Sequence, residues 1–245
     1  MTQKLGTVII SAPTIVTMDR SQPRAEAVAV KDGIITAVGT LEECKAALPD
    51  AEVKSISGQA LLPGFIDSHS HLVLSGPATM APAYYIAPWV APKWTDVVDI
   101  FKQAIADSPA GSTLSFFGFD GLLHGITDPT ASVLDEIFGN RKVLVMGNSG
   151  HTAYVTTAVL EELGWVENPP QNPVGGYYGR NEDGSLNGIG TELPAVIQIS
   201  APVRNDLPGK PLQGAIEYYA LLSRAGITST SEMTYMSELQ TAYET

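Results

Sequence analysis

LLPGFIDSHSHL, Leu61 to Leu72, carries a Pro63-Gly64 turn, an apolar pair, Phe65-Ile66, and two histidines one residue apart, His69 and His71. In a β-strand residues i and i+2 share a face, so both imidazoles project from one side just where the apolar run stops. Such a pair can hold a metal ion. Two donors do not complete a site, however, and a bare His-x-His describes equally well two polar residues in a strand-end turn. The Pro-Gly turn, the buried-type pair and Asp67 make the string much rarer than His-x-His.

Upstream, residues 5 to 60 read as short strands. VIIS and IVTM are separated by Ala12-Pro13, AEAVAVKDG alternates apolar and polar residues into a Lys-Asp-Gly turn, and IITAVG follows at once, as in a hairpin. LEECKAAL is a short helix holding the single cysteine, Cys44, which has no Cys or His nearby and reads as structural. Alternating strands need a partner to cover their apolar face.

Downstream of His71 runs a long irregular stretch containing Tyr84, Tyr85, Trp89 and Trp94. A loop that leaves a metal-bearing strand is well placed to wall a pocket, so Trp89 and Trp94 are candidates for substrate contact, against the alternative that the rings only pack the loop. TDVVDIFKQAIADS has helical spacing with Thr95 as N-cap, STLSFFGFD is a strand, PTASVLDEIF a helix, and RKVLVMG a buried-type strand. This alternation predicts a parallel α/β architecture.

That strand runs into GNSGHTAYVTTAVLEELG, with His151 just past its end. His151 is a candidate substrate or oxyanion contact, or else a capping or core histidine. Asp183-Gly184 closes a hairpin, and GIGTE places Glu192 at a strand end before Leu193-Pro194. The helix around PLQGAIEYYALLSRAG stops at Gly226, the strand ITSTSEM follows, and SELQTAYET begins a helix. His124, in FDGLLHG, reads as a loop residue.

Composition bounds the function. With 245 residues, 44% of them hydrophobic and 16% charged, the chain is ordinary for a globular protein. A formal net charge of −12 disfavours nucleic acid and anionic membrane surfaces, whose phosphates would be repelled, and favours a small-molecule substrate. The apolar stretch near the N-terminus is too short to span a membrane and lacks a signal-peptide cleavage site, which makes a cytoplasmic protein the expectation. No glycine fingerprint of a Rossmann-like domain follows an early strand.

The string LPGFIDSHSH resembles the first barrel strand of the amidohydrolase superfamily. SGHTAYV with its following helix, and NPVGGYYGRNEDGSLNGIGTELP, resemble the amidohydrolase family 3 branch, which includes N-substituted formamide deformylases. The resemblance implies an α/β fold: a partial (β/α)8 TIM barrel over residues 61–245, apparently truncated, preceded at 1–60 by the N-terminal part of a composite β-sandwich. It implies one or two divalent metal ions, zinc first among them, with His69 and His71 as ligands and Glu192 as an anionic ligand able to bridge two ions. It implies hydrolysis of a non-peptide C–N bond, amide or formamide-like, by metal-activated water. The family's further metal histidines and general-base aspartate are expected beyond Thr245. The expected partner is therefore the C-terminal half of the barrel, in the same or another chain, and a homo-oligomer is left open. The alternative is a non-catalytic binding or regulatory remnant of the same fold, or an inactive fragment.

Overall fold

The computed structural model describes residues 6–58, 60–80, 82–207, 211–233 and 240. It divides into two compact units, Met1–Asp67 with Gly226–Ser229, and Ser68–Ala225 with Thr230–Thr245.

The first unit is built on a four-stranded sheet of order β3-β2-β1-β4, formed by β1 (Val8–Val16), β2 (Arg24–Lys31), β3 (Ile34–Gly39) and β4 (Glu52–Ser55). The expected VIIS and IVTM strands are one strand. The irregular Ala-Pro segment is absorbed as a register shift between Ser11 and Ile15, because proline cannot donate to the ladder. β2 and β3 form the anticipated hairpin, with Asp32 and Gly33 both at positive φ in the turn. Helix α1 (Leu41–Ala47) starts in a capping box between Thr40 and Glu43 and buries Cys44 against Ile9, Ala27 and Ala29. Burial pushes the Cys44 thiol up, in keeping with a structural role.

In the second unit, β6 (Tyr84–Tyr85), β7 (Leu114–Phe119), β8 (Val143–Gly147), β9 (Thr152–Val155), β10 (Tyr177–Arg180) and β11 (Leu186–Thr191) form a six-stranded sheet of order β10-β11-β9-β8-β7-β6. β6, β7 and β8 are parallel; β9 is antiparallel to β8, β11 to β9 and β10 to β11. The sheet is thus mixed: the hairpin expected at Asp183-Gly184 forms β10 and β11, and β9 is also antiparallel, where the strand–helix alternation pointed to a parallel strand. The cause is local: the GNSGH turn is too short for a crossover, so TAYV returns directly beside β8 as its own strand.

Side-chain alternation along β8 explains why the strand reads as continuously apolar. Val143 and Val145 join one core cluster, with Phe101 and Phe138 from helices α3 (Trp94–Asp107) and α5 (Ala131–Phe138). Leu144 joins a second, with residues of α6 (Thr157–Glu162), α7 (Leu193–Ile199) and α8 (Ala201–Asp206). Both faces are covered, so no position calls for a polar residue. At β7 the pairing with β8 shifts between Phe117 and Phe119, where Gly118 has φ 109°; a Cβ there would lie 2.7 Å from the Ala87 nitrogen. Only glycine fits.

Residues following His71, expected to be irregular, instead form helix α2 (Leu72–Thr79), opened by the His71 carbonyl accepting from Ser75 N–H at 2.8 Å. α2 packs on helix α9 (Pro211–Arg224), where a Cβ built on Gly76 would stand 2.3 Å from the Gly214 carbonyl carbon. Gly76→Ala is therefore expected to destabilise the protein by roughly 1–3 kcal/mol through overpacking. A thermal melt unchanged from wild type would contradict that close approach. The remaining elements are the one-turn helix α4 (Gly121–His124) and strands β5 (Phe65–Ser70) and β12 (Ile227–Glu232), which form a two-stranded sheet. The helix expected over SELQTAYET lies outside the described residues except for Gln240.

Candidate functional site

His69 lies within β5 and His71 immediately after it, as the spacing requires. Their rings meet edge to face with centroids 5.4 Å apart. His69 is exposed and His71 half-buried. Pairing of β5 with β12, through Met233 N–H donating to the Ser70 carbonyl at 2.9 Å, brings in a third polar group. Glu232, at the end of β12, places its Oε1 3.6 Å from His71 Nδ1, with only 11% of its side chain exposed. Glu232 was not among the candidates read from sequence. Its position at a strand end was legible, but its partner depends on a pairing between strands more than 150 residues apart in sequence.

Two imidazoles and a carboxylate are donors that suit several divalent ions, zinc among them. Among the described residues, no group of three His, Cys, Asp or Glu side chains closes a metal site. The pair thus fits part of a coordination sphere.

The second polar pair joins His151 to Glu192. His151 Nδ1 and Glu192 Oε2 are 2.8 Å apart, with both side chains about half exposed. The backbones are joined as well, Glu192 N–H donating to the His151 carbonyl at 2.8 Å. The register explains this: β11 and β9 are antiparallel with Thr191 opposite Thr152, so the residue leaving β11 meets the residue entering β9. Glu192 itself has φ 67° and ψ 152°, a region essentially reserved for glycine, and its carbonyl accepts from Ala195 and Val196 N–H to open α7. Such a conformation costs on the order of 1–3 kcal/mol and persists only where surrounding contacts over-determine it.

Beside this pair in sequence, at the carboxyl ends of β7 and β8, lies an open cleft of about 180 Å³. Asp120, Asn148, Ser149, Thr152 and Tyr154 supply its polar groups, and Gly121 and Gly147 its close-lying backbone. Burial, followed by the Asp128 carboxylate, pushes the Tyr154 phenol well up, so it stays protonated. Asp120 caps α4 by accepting from Leu123 N–H at 3.0 Å.

His124 is not the loop residue expected. It ends α4, is 4% exposed, and stacks on Phe119 with centroids 5.3 Å apart. Asp120 N–H donates to its Nδ1 at 3.1 Å, so Nε2 carries the proton of the neutral ring. The tryptophans diverge. Trp94 opens α3 and sets its ring edge-on to Phe101 and Phe119, a core position. Trp89 is 66% exposed beside Tyr85. Neither lines the cleft.

Comparisons with known proteins agree with this α/β frame. The Amidohydrolase family profile matches residues 52–241, and an Imidazolonepropionase-like composite domain of bacteria matches residues 27–51. N-substituted formamide deformylase of Arthrobacter pascens is 31% identical over 219 residues, covering 89% of this chain and 40% of the relative. Protein LONG AFTER FAR-RED 3 of Arabidopsis thaliana is 30% identical over 183 residues, covering 74% of this chain and 30% of the relative. Among solved structures, an uncharacterized metal-dependent hydrolase of Pyrococcus horikoshii superposes with a TM-score of 0.61 at 20% identity, over 98% of this chain and 45% of that one. The chain spans less than half the length of these relatives.

Proposed function

The chain belongs to the amidohydrolase family, and from that membership we propose that it is the N-terminal part of a metal-dependent hydrolase that cleaves a non-peptide C–N bond, amide or formamide-like, with activated water. The observation that carries the reading is the His69–His71 pair at the end of β5 with Glu232 brought beside it. His69 and His71 would hold a divalent ion, zinc first among the candidates. A bound ion of this kind supplies Lewis acidity and lowers the pKa of a coordinated water. His151 and the polar groups of the cleft at the ends of β7 and β8 would bind the substrate. The architecture we favour is the opening part of a (β/α)8 barrel with the first strands of a composite β-sandwich. Ile35, 63% exposed on β3 and paired with Val30 of β2, is the kind of apolar residue a second sheet would cover.

A test begins with the metal content of the purified chain by elemental analysis, followed by a panel of N-formyl and N-acyl amines assayed with and without a chelator. About one equivalent of divalent metal per chain and chelator-sensitive hydrolysis, by this chain or by a polypeptide that continues it, are expected. Absence of stoichiometric metal from both would overturn the proposal. Metal-free chain that still binds such amines without hydrolysing them would instead support a non-catalytic role.

A further inference from the structure

We infer that the cleft at the carboxyl ends of β7 and β8 receives a positively charged head group, a protonated amine carried by the substrate, and that Asp120 is the residue that selects it. This deepens the proposed function and rests on it for the cleft as the place where substrate binds. Asp120 is the one charged side chain among the described residues that line the cleft; Asn148, Ser149 and Thr152 are neutral, and burial keeps the Tyr154 phenol protonated. Among the described residues Asp120 joins no ion pair, so no cation in the wall offsets its charge. An anionic group placed there would meet an uncompensated carboxylate, whereas an ammonium would gain a charge-assisted hydrogen bond. The volume of about 180 Å³ is that of a small recess. Pockets that enclose a whole drug-sized ligand run to roughly 300–1,000 Å³, so the cleft takes a head group and not an entire molecule.

Asp120 is held in place before any ligand arrives. Its N–H donates to Nδ1 of the buried His124 at 3.1 Å, and its Oδ1 accepts from Leu123 N–H at 3.0 Å. The Phe119 carbonyl beside it accepts from Asn148 N–H at 2.7 Å, which ties the end of β7 to the end of β8. Capping α4 engages one carboxylate oxygen, and asparagine caps a helix as well as aspartate does. The negative charge is therefore surplus to the cap, and Asp120→Asn removes it while leaving the cap in place.

Three formamides of matched length separate charge from shape: N-(3-aminopropyl)formamide, N-butylformamide and N-formyl-β-alanine, each titrated into the 15N-labelled chain and followed at the Gly147 and Ser149 amides. At low salt the cationic probe is expected to bind at least about 5-fold tighter than the neutral one, with the anionic probe weakest and the advantage shrinking as salt is raised. Asp120→Asn is expected to bring the cationic probe down to the neutral one and to leave the neutral one where it was. Glu161→Gln removes the same charge from exposed α6, which follows the end of β9 beside the start of β8, at the opposite end of the sheet from the cleft, and should change nothing. Equal affinity for the cationic and neutral probes in the wild type, or a preference that survives in Asp120→Asn, would overturn the inference. So would a preference lost as fully in Glu161→Gln, which would assign it to the field of the whole chain, or a wild-type chain that binds none of the three. The titrations read binding without turnover, so failure of the hydrolase reading shows separately, in metal content and chelator sensitivity.

Discussion

Replacing Phe101 by alanine is expected to lower stability by about 3–5 kcal/mol, the usual cost of emptying a large aromatic position in a closed core. Phe101 is fully buried on α3, with ring centroids 4.6 Å from Phe116 on β7, 4.9 Å from Phe138 on α5 and 5.8 Å from Trp94. Because β7 and α5 both converge on this ring from outside its own helix, neither can close the cavity without dragging its strand or helix. Collapse is therefore resisted, and the cost should fall in the upper half of that range. Urea unfolding followed by far-UV circular dichroism would register the effect as a lower midpoint at unchanged slope. Leu122→Ala, at a position 91% exposed, serves as the contrast and should be nearly neutral. A loss below about 1 kcal/mol at Phe101 would mean the aromatic layer is not the rigid support described. The layer matters for the site because Trp94 also packs on Phe119, whose neighbour Asp120 enters the cleft.

What could be read from the sequence follows from how local each signal is. The hairpin at Asp32-Gly33, the capping box at Thr40 and Glu43, and the apolar run of β8 are decided by neighbours within a few residues. His69 and His71 were legible for the same reason, since the two-residue period of a strand alone puts them on one side. The relations that were not legible are long-range. Glu232 beside His71 depends on β5 pairing with β12, and Glu192 on His151 depends on the antiparallel register of β9 and β11. Trp94 shows a different limit of local reading. A tryptophan at the start of an amphipathic helix has the same composition whether it faces ligand or core, and here Phe101 and Phe119 claim it. The mixed sheet, by contrast, has a local signal. Four residues between Gly147 and Thr152 cannot carry a parallel crossover.

The double replacement His69→Ala with His71→Ala is expected to abolish tight zinc binding, and the two groups around His71 indicate how the loss should be graded. A metal-bound histidine ordinarily offers its other ring nitrogen to a carboxylate, which fixes the ring and raises its basicity. Glu232 lies on the Nδ1 side of His71 at 3.6 Å and is largely buried, which suits it to orient that ring. His69 approaches the same ring edge-on, so the two imidazoles do not stack face to face. On this geometry Glu232→Gln removes an orienting charge rather than a donor and should weaken zinc by about 10–100-fold, the usual cost of losing an outer carboxylate. Each single histidine variant should cost more than that, and the double variant should leave no stoichiometric site. Competition against a chromophoric zinc indicator reads the wild type and all four variants on one scale, with circular dichroism to establish that each remains folded. If the double variant bound zinc as the wild type does, the pair at the end of β5 would be polar surface and the ion would have to be held elsewhere. If Glu232→Gln fell as far as the double variant, Glu232 would itself be a ligand, and the site would gain from β12 the third donor that β5 cannot supply.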